Sequence, residues 1–278
     1  MIQIKRNLTF AGLMSMLTRI STIALIFFAL VSCSPYQKVL NGDDYDAKYT
    51  YANDLFEKEQ YAKAIPLYEE LKRVFLGKDK MRVILLNLAY CEFNTNQLYL
   101  ATYHFKQFYE AYPLAPQAET AFFMHCKCQY TLSPKHSLDQ QSTQKAINAF
   151  EKFVATYPDS EKVNECNALI DELSIKIEEK AFISAKLYYN IGDFKAAVWA
   201  LNNFIKDNPG SSFREEAEFL VLESAYKLAK NSVQKKKEER YVETVEYFKS
   251  FKKHFPESKF LDKAKSYMME SQKALNSI

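Results

Sequence analysis

Apolar residues recur along this chain in one pattern that is repeated five times. Counted from a small residue as position zero, large apolar residues stand at +4 and +7, and in four of the five copies proline stands at +12. Positions 0, +4 and +7 lie on one face of a helix, and proline ends the helix. The pattern therefore predicts five amphipathic helices of similar length. Their zero positions are Ala64, Ala101, Ala146, Ala197 and Thr244.

A second amphipathic helix precedes each of these helices. The clearest example has Ala185 and Tyr188 before a turn at Gly192-Asp193. Paired helices with small residues at their contacts resemble tetratricopeptide (TPR) repeats, in which each pair stacks on the next. The copies start 37, 45, 51 and 47 residues apart, so only the first interval is near the regular period of about 34. We expect an all-α, right-handed solenoid of five TPR-like helix pairs, with residues 260–275 as a C-terminal capping helix.

Three segments account for the extra length between copies. Residues 132–143 are polar and predict a loop within the third pair. Residues 162–191 lack proline and glycine, which predicts a helix of double length, and residues 231–239 lengthen the fifth pair. The predicted division is residues 46–160 for repeats 1–3 and residues 161–278 for repeats 4–5 and the cap.

The N-terminus has the pattern of a targeting segment. The first 33 residues contain three basic residues and no acidic one, and residues 20–31 form an apolar run. Twelve residues span roughly 18 Å as a helix, which is short of the ~30 Å hydrocarbon core and disfavours a permanent membrane span. Residues 30–33 read Leu-Val-Ser-Cys, which resembles the lipobox of bacterial lipoproteins.

That resemblance implies processing and lipid attachment at Cys33. Residues 1–32 would be a signal peptide and residues 33–45 a lipidated tether, with a diacylglycerol on the thiol and an acyl chain such as palmitate on the new amine. By resemblance to lipoprotein sorting patterns, the residues after Cys33 imply the periplasmic face of the outer membrane. An ordinary leader with an incidental cysteine is the alternative.

Composition and charge narrow the class of protein. The chain has 48% hydrophobic residues and 40 phenylalanines and tyrosines, which excludes wholesale disorder, and its 5 glycines and 8 prolines argue against a turn-rich β-fold. There are 37 basic and 34 acidic residues, and the excess of three lies in the N-terminal leader. Without the leader the charges balance, so we expect no nucleic-acid partner.

Sequence motifs for catalysis or metal binding are absent. The sequence has no glycine-rich phosphate loop, HExxH or GxSxG motif. The His-Cys-Lys-Cys run at residues 125–128 cannot converge on one metal from a single helix, and the other histidines are scattered. We therefore expect no enzyme activity, no metal and no cofactor beyond the acyl chains. Cys91, Cys126, Cys128 and Cys166 lie in predicted helices, where apolar packing is favoured and disulfides are the alternative.

Three stretches resemble the outer membrane protein assembly factor BamD family. They are Leu-Asp-Gln-Gln-Ser-Thr-Gln-Lys-Ala-Ile-Asn-Ala-Phe at residues 138–150, Tyr-Pro-Asp-Ser at 157–160 and Tyr-Tyr-Asn-Ile-Gly-Asp-Phe-Lys-Ala-Ala at 188–197. The chain departs from the family pattern at Leu76, which replaces proline, and at residues 208–211, which read Asn-Pro-Gly-Ser. The similarity extends over essentially all of the mature chain.

The resemblance implies a non-enzymatic part of the complex that assembles β-barrels in the outer membrane. Its implied partners are a BamA-like barrel protein, contacted through periplasmic POTRA domains mainly by the C-terminal repeats, and the other lipoproteins of the assembly complex. Unfolded barrel precursors would bind the N-terminal repeats. The alternative is another periplasmic TPR scaffold lipoprotein that coordinates cell-wall or envelope proteins.

Aromatic residues on the first helices of the N-terminal repeats are candidates for a groove that binds substrate peptide. An amphipathic aromatic side chain can hold an extended apolar peptide, although ordinary packing between helices explains such residues more often. The candidates are Tyr51, Leu55, Tyr90 and Phe93.

A basic run near the fifth pair is a candidate partner-binding segment. A mixed-charge run at a helix start is normally a solvated face, and contact with an acidic POTRA surface or with lipid head groups is the alternative. The residues concerned are Lys235, Lys236, Lys237 and Arg240.

Overall fold

The computed structural model describes residues 35–278. This part of the chain contains twelve helices and no strand. The all-α fold class is therefore confirmed. The predicted signal peptide and Cys33 lie outside the described residues. The helices are α1 Pro35–Leu40, α2 Tyr45–Glu57, α3 Tyr61–Val74, α4 Met81–Asn94, α5 Leu98–Ala111, α6 Ala118–Thr131, α7 Gln141–Thr156, α8 Val163–Asn190, α9 Phe194–Asp207, α10 Arg214–Lys230, α11 Gln234–His254 and α12 Leu261–Leu275.

The chain forms two compact units. The N-terminal unit ends at His104, and the C-terminal unit comprises Phe105–Ile278. The predicted division at residue 160 grouped repeats rather than compact units, and it stays a prediction.

Within each unit, helices pack on their neighbours in sequence and on the next helix but one. In the N-terminal unit α2 packs on α3 and on α4. In the C-terminal unit α8 packs on α9 and on α10, and α10 packs on α9 and on α11. This is the contact pattern of stacked helix pairs. The zero positions of all five copies are fully buried, which lets the paired helices approach closely.

The tight turn within a pair depends on one backbone position. Glu59, Asn96 and Gly192 have φ of 55°, 60° and 82°, and each stands five residues before a zero position. This left-handed conformation is strained for residues with a Cβ, so glycine suits it best. Asp193 follows Gly192 and caps α9, because its side chain accepts a hydrogen bond from the amide of Ala196 at 3.0 Å.

The three predicted extra segments take the form that the sequence indicates, with small shifts. Helix α8 has 28 residues, which confirms the double-length helix, and the loop of the third pair ends at α7, whose first residue is Gln141. The extra residues of the fifth pair mostly lengthen α11, which has 21 residues. Helix α12 confirms the capping helix.

Part of the predicted tether is folded. Helix α1 places Tyr36, Val39 and Leu40 against the apolar cluster of the N-terminal unit. The Tyr36 hydroxyl donates a hydrogen bond to the carbonyl oxygen of Lys63 at 3.2 Å. The residues from 35 onward are therefore docked on the first helix pair.

A buried carboxylate fastens the capping helix to α10. The side chain of Glu223 is 4% exposed and accepts a hydrogen bond from the Tyr267 hydroxyl at 2.7 Å. It also pairs with the ammonium groups of Lys227 at 3.0 Å and Lys263 at 3.3 Å. Burial by itself would raise the pKa of Glu223, but the hydrogen bonds from Tyr267 and Lys227 and the charges of the two lysines outweigh it, and the pKa is lowered.

We expect Glu223→Gln to destabilise the protein at pH 7 and to have little effect at pH 3. A lowered folded-state pKa stabilises the fold above the unfolded-state pKa, roughly 4.3, and this contribution is lost as the pH falls through the folded-state value. Hydrogen bonds to charged groups contribute about 1.5–3 kcal/mol, which sets the expected loss at pH 7. Thermal unfolding followed by circular dichroism at both pH values measures it.

Glu246→Gln is the matched control for this prediction. Glu246 is 62% exposed and pairs with Lys249 on the surface of α11, so its loss should change stability little at either pH. An equal destabilisation by Glu223→Gln at pH 7 and pH 3 would show that the charge of Glu223 is irrelevant to the cap.

Candidate interaction surfaces

The first two predicted groove residues lie on α2 and differ in exposure. Leu55 is 3% exposed and belongs to the apolar cluster of the N-terminal unit, so its role in the structure is packing. Tyr51 is half-buried and packs against the same cluster. Tyr36 of α1 packs against this cluster as well, and its pKa is raised by burial and, to a smaller extent, by Tyr51.

The other two predicted groove residues lie on α4. Tyr90 and Phe93 are both half-buried, and burial raises the pKa of Tyr90. Each residue is therefore partly accessible to solvent. The binding role of these residues stays a prediction.

A buried polar network holds the first three long helices of the N-terminal unit together. The hydroxyl of Tyr68 on α3 donates to the Asn53 side-chain oxygen on α2 at 2.7 Å. The Asn87 amide on α4 donates to the Tyr68 hydroxyl at 3.1 Å and to Asn53 at 3.3 Å. Tyr68 itself is fully buried. This network fixes α2 and α4, the helices that carry the predicted groove residues.

Three clefts that share lining residues lie in the C-terminal unit and are here together called the C-terminal groove. A cleft of about 290 Å³ and one of about 150 Å³ share Tyr247, and the second shares Arg214 and His254 with an open cleft of about 350 Å³. Side chains from α9, α10 and α11 line it. The residues that give it polar character include Lys195, Asn202, Glu218, Lys236, Glu239, Arg240, Glu243 and Ser250.

Ion pairs order the middle of the C-terminal groove. The Arg214 Nε lies 2.9 Å from Glu218 Oε1, and the His254 Nδ1 lies 2.9 Å from Glu218 Oε2. The side-chain amide of Asn202 on α9 donates a hydrogen bond to the Tyr247 hydroxyl on α11 at 3.2 Å. These contacts hold α9, α10 and α11 in fixed positions around the groove.

The basic run divides between solvent and the C-terminal groove. Lys235 and Lys236 are exposed and Lys237 is half-buried. Arg240 donates a hydrogen bond to the Ser232 hydroxyl and lines the groove with Lys236. Lys195, from α9, joins them. Lys195 could not be grouped with the basic run from the sequence, because it lies some 40 residues away in the chain.

The single tryptophan of the chain is a large exposed residue beside the C-terminal groove. Trp199 is 70% exposed on α9. It stands four residues after Lys195, and residues four apart share one face of a helix. Exposed tryptophan is enriched at the energetic centres of protein interfaces. Trp199 is the residue of this region that sequence reasoning could have singled out by its type alone.

The cysteine side chains of the described residues are buried. Cys91, Cys126 and Cys166 are free and buried, as the packing interpretation expects. Burial is the main cause that raises the pKa of Cys91 to about 12 and of Cys166 to about 11. Little thiolate is then present at neutral pH, and the thiolate is the reactive form. Cys128 is also buried.

None of the helices between residues 35 and 278 is both long enough and apolar enough to cross a membrane.

The family of the chain follows from a comparison with protein families. A family model described as YfiO, outer membrane lipoprotein, matches residues 42–188 and 173–277. The chain belongs to the YfiO outer membrane lipoprotein family. This confirms the resemblance to BamD that the repeats and the stretches at residues 138–197 indicated.

A relative and several solved structures are similar to this family member. The outer membrane protein assembly factor BamD of Caulobacter vibrioides (strain ATCC 19089 / CIP 103742 / CB 15) is 23% identical over 188 residues, which are 68% of this chain and 62% of that protein. The match thus spans less than two thirds of the relative's length.

Two solved TPR structures align with most of the chain at low similarity. The TPR2AB domain of yeast Sti1 in its pHSP90 complex is 16% identical with a TM-score of 0.36 and covers 84% of this chain and 100% of its own. The TPR domain of P58(IPK) is 14% identical with a TM-score of 0.39. Its match covers 84% of this chain and 66% of the P58(IPK) chain. TM-scores below 0.5 do not establish a common arrangement of the helices.

Proposed function

We propose that this lipoprotein is a non-enzymatic component of the complex that folds β-barrels into the outer membrane. The observation that carries the proposal is the match of the YfiO family model to residues 42–188 and 173–277, which together cover all of residues 42–277. The similarity to an assembly factor named BamD points the same way. Acyl chains on Cys33 would hold the protein at the periplasmic face of the membrane, and its work would be binding rather than bond chemistry.

The C-terminal unit is the proposed docking surface for a BamA-like barrel protein, through its POTRA domains. Protein interfaces have an apolar, aromatic centre surrounded by polar residues. Trp199 supplies an exposed aromatic group, and Lys195, Lys236 and Arg240 supply basic groups at the neighbouring groove. These residues support a contact with an acidic partner surface, in which the basic groups steer the partner and Trp199 anchors it.

The N-terminal unit is the proposed site for unfolded barrel precursors. Tyr51, Tyr90 and Phe93 are half-buried, so their rings combine fixed positions with exposed area. Such rings favour an extended peptide with aromatic side chains. Leu55 would act in this site by supporting α2 from the core rather than by touching the peptide.

We expect Trp199→Ala to weaken binding of the POTRA fragment of the BamA-like protein of the same organism by about 30-fold. A residue at an interface centre contributes about 2 kcal/mol or more, which corresponds to that factor. Isothermal titration calorimetry, with the POTRA fragment titrated into the acylated mature protein in detergent, measures the affinity. Because Trp199 is the single tryptophan, 5-fluorotryptophan labelling also gives one ¹⁹F resonance that reports contact at this position.

Met269→Ala is the matched control for Trp199→Ala. Met269 is 66% exposed on α12, in the same unit, and its loss should leave the affinity within about twofold, as for most surface positions. An unchanged affinity of Trp199→Ala, together with an unmoved ¹⁹F resonance, would place the partner on another surface.

A further inference from the structure

A very short piece of chain joins the proposed lipid anchor to the fold. Cys33 stands two residues before Pro35, the first residue of α1. Two residues span at most about 7 Å. Tyr36, Val39 and Leu40 of α1 pack against the apolar cluster of the N-terminal unit. Acyl chains on Cys33 would therefore enter the membrane beside this unit, because the connection is so short.

The start of α1 lies at one end of the first helix pair. The Tyr36 hydroxyl donates a hydrogen bond to the carbonyl oxygen of Lys63 at 3.2 Å. Lys63 is the third residue of α3, and the turn between α2 and α3, which contains Glu59, lies just before this helix. The attachment point at Cys33 is therefore close to this turn, and not to the opposite end of the pair, where α3 ends at Val74.

The turn between α4 and α5 lies at the same end of the N-terminal unit. Lys80, directly before α4, pairs with Asp46 at the start of α2. Asn53 and Asn87 meet in the middle of the same two helices at 3.3 Å. Both contacts join residues that are 34 apart in the chain, so α2 and α4 run in the same direction. The turn that follows α4, which contains Asn96, therefore lies at the same end as the turn that follows α2.

An exposed aromatic patch follows the turn between α4 and α5. Tyr99 and Tyr103 are 73% and 58% exposed, and Leu100 is 45% exposed. All three residues belong to the first two turns of α5. Residues three and four apart share one face of a helix, so these side chains form one surface, here called the tyrosine patch. Among the described residues of the N-terminal unit, the exposed aromatic side chains are those of Tyr99 and Tyr103.

Helix α5 lies close to α3, the helix that receives α1. The Nε2 atom of His104 on α5 is 2.7 Å from the ammonium of Lys72 on α3. Axes of packed helices are about 8–10 Å apart. Because both helices begin at the same end of the unit, the tyrosine patch and the first turn of α3 can meet one flat surface together.

We propose that the tyrosine patch lies in the head-group layer of the phospholipid membrane that holds Cys33, an inference that rests on the proposed acylation of Cys33. Tyrosine combines an apolar ring with a polar hydroxyl, and it is enriched where hydrocarbon meets water. The short connection brings the membrane surface to the end of the N-terminal unit that carries the patch. This unit is then held against the membrane rather than suspended away from it.

The charges at this end of the unit do not favour one kind of lipid. Residues 57–63 include two basic residues, Lys58 and Lys63, and two acidic residues, Glu57 and Glu59, and residues 94–100 have no charged side chain. A balanced surface is attracted little to anionic head groups. The apolar and aromatic side chains of the patch therefore favour the contact, and it should persist in high salt, which screens charge interactions.

Tryptophan fluorescence of the acylated mature protein in vesicles tests this contact. The vesicles contain phosphatidylethanolamine and phosphatidylglycerol, and part of the phospholipid carries bromine near the head-group end of its acyl chains. Trp199→Phe removes the single tryptophan, and Tyr99→Trp in this background places one reporter in the tyrosine patch. Bromine quenches a tryptophan only at close approach. We expect the Tyr99→Trp reporter to lose about half of its emission or more, at low salt and at about 0.5 M salt alike.

Leu76→Trp in the same Trp199→Phe background is the matched control. Leu76 is 73% exposed, as Tyr99 is, and it follows α3 at the opposite end of the N-terminal unit. Its emission should change by less than about a tenth, because this end points away from the membrane. Both positions are exposed, so the fold should tolerate both replacements.

The mass of each purified chain and its flotation with vesicles separate the membrane contact from the anchor. Acylated protein that floats with the vesicles, but whose Tyr99→Trp reporter is quenched no more than the Leu76→Trp reporter, would overturn the contact and leave the anchor intact. Quenching that disappears in high salt would also overturn the proposal, because charge and not the tyrosine patch would then make the contact. A mature chain without the mass of acyl groups would overturn the proposed anchor and the contact with it.

Discussion

Cys33→Ser is expected to remove the protein from the outer membrane fraction almost completely. The replacement takes away the thiol that would carry diacylglycerol, and by the proposed lipoprotein processing the leader would then not be cleaved. Each buried acyl CH₂ contributes about 0.8 kcal/mol to membrane binding, so several chains on one residue form a very stable anchor. Density-gradient fractionation, labelling with radioactive palmitate and the mass of the purified chain measure location, acylation and processing.

Ser32→Ala is the matched control for this change, because it keeps a small residue beside Cys33. It should be labelled, cleaved before Cys33 and recovered with the outer membrane. A Cys33→Ser chain that remains in the outer membrane with residues 1–32 removed would show that the anchor lies elsewhere.

Phe153→Ala is expected to lower the free energy of unfolding of the C-terminal unit by about 3–5 kcal/mol, as large aromatic truncations in cores do. Phe153 occupies position +7 of the third copy and is 0% exposed. Its ring contacts those of Phe122, Phe123 and Tyr157, with centroids 5.5, 5.8 and 5.4 Å away. Urea unfolding of the mature chain, followed by circular dichroism, measures the loss.

Tyr99→Ala tests whether the loss comes from burial or merely from removing an aromatic ring. Tyr99 is 73% exposed on α5, and its replacement should change stability by no more than about 0.5 kcal/mol. Equal effects of the two changes would contradict the repeat register on which the fold assignment rests.

The repeat register made the fold predictable from the sequence. Each copy places small and large apolar residues at fixed intervals, and these intervals determine which face of a helix is buried. Phe153 and Phe251, both at position +7, are accordingly 0% exposed. The Gly192-Asp193 turn was predictable for the same local reason, because residue type determines both its backbone conformation and its cap.

The candidate sites were less predictable because they combine residues that are distant in sequence. Lys195 joins Lys236 and Arg240 at one cleft only after α9 and α11 have packed on α10. The buried contact between Glu92 of α4 and His104 of α5 is a further example, because neither residue belongs to a local motif. Leu55 is buried, as the packing interpretation expects, but periodicity alone cannot distinguish a residue at the edge of a helix face from one at its centre.

Recovery of the acylated mature protein from detergent-solubilised envelope, with its bound partners, tests the central claim most directly. We expect mass spectrometry to find a β-barrel protein with POTRA domains in stoichiometric amount, and less of it with Trp199→Ala. Recovery of a peptidoglycan hydrolase, with no barrel protein at all, would contradict a role in barrel assembly.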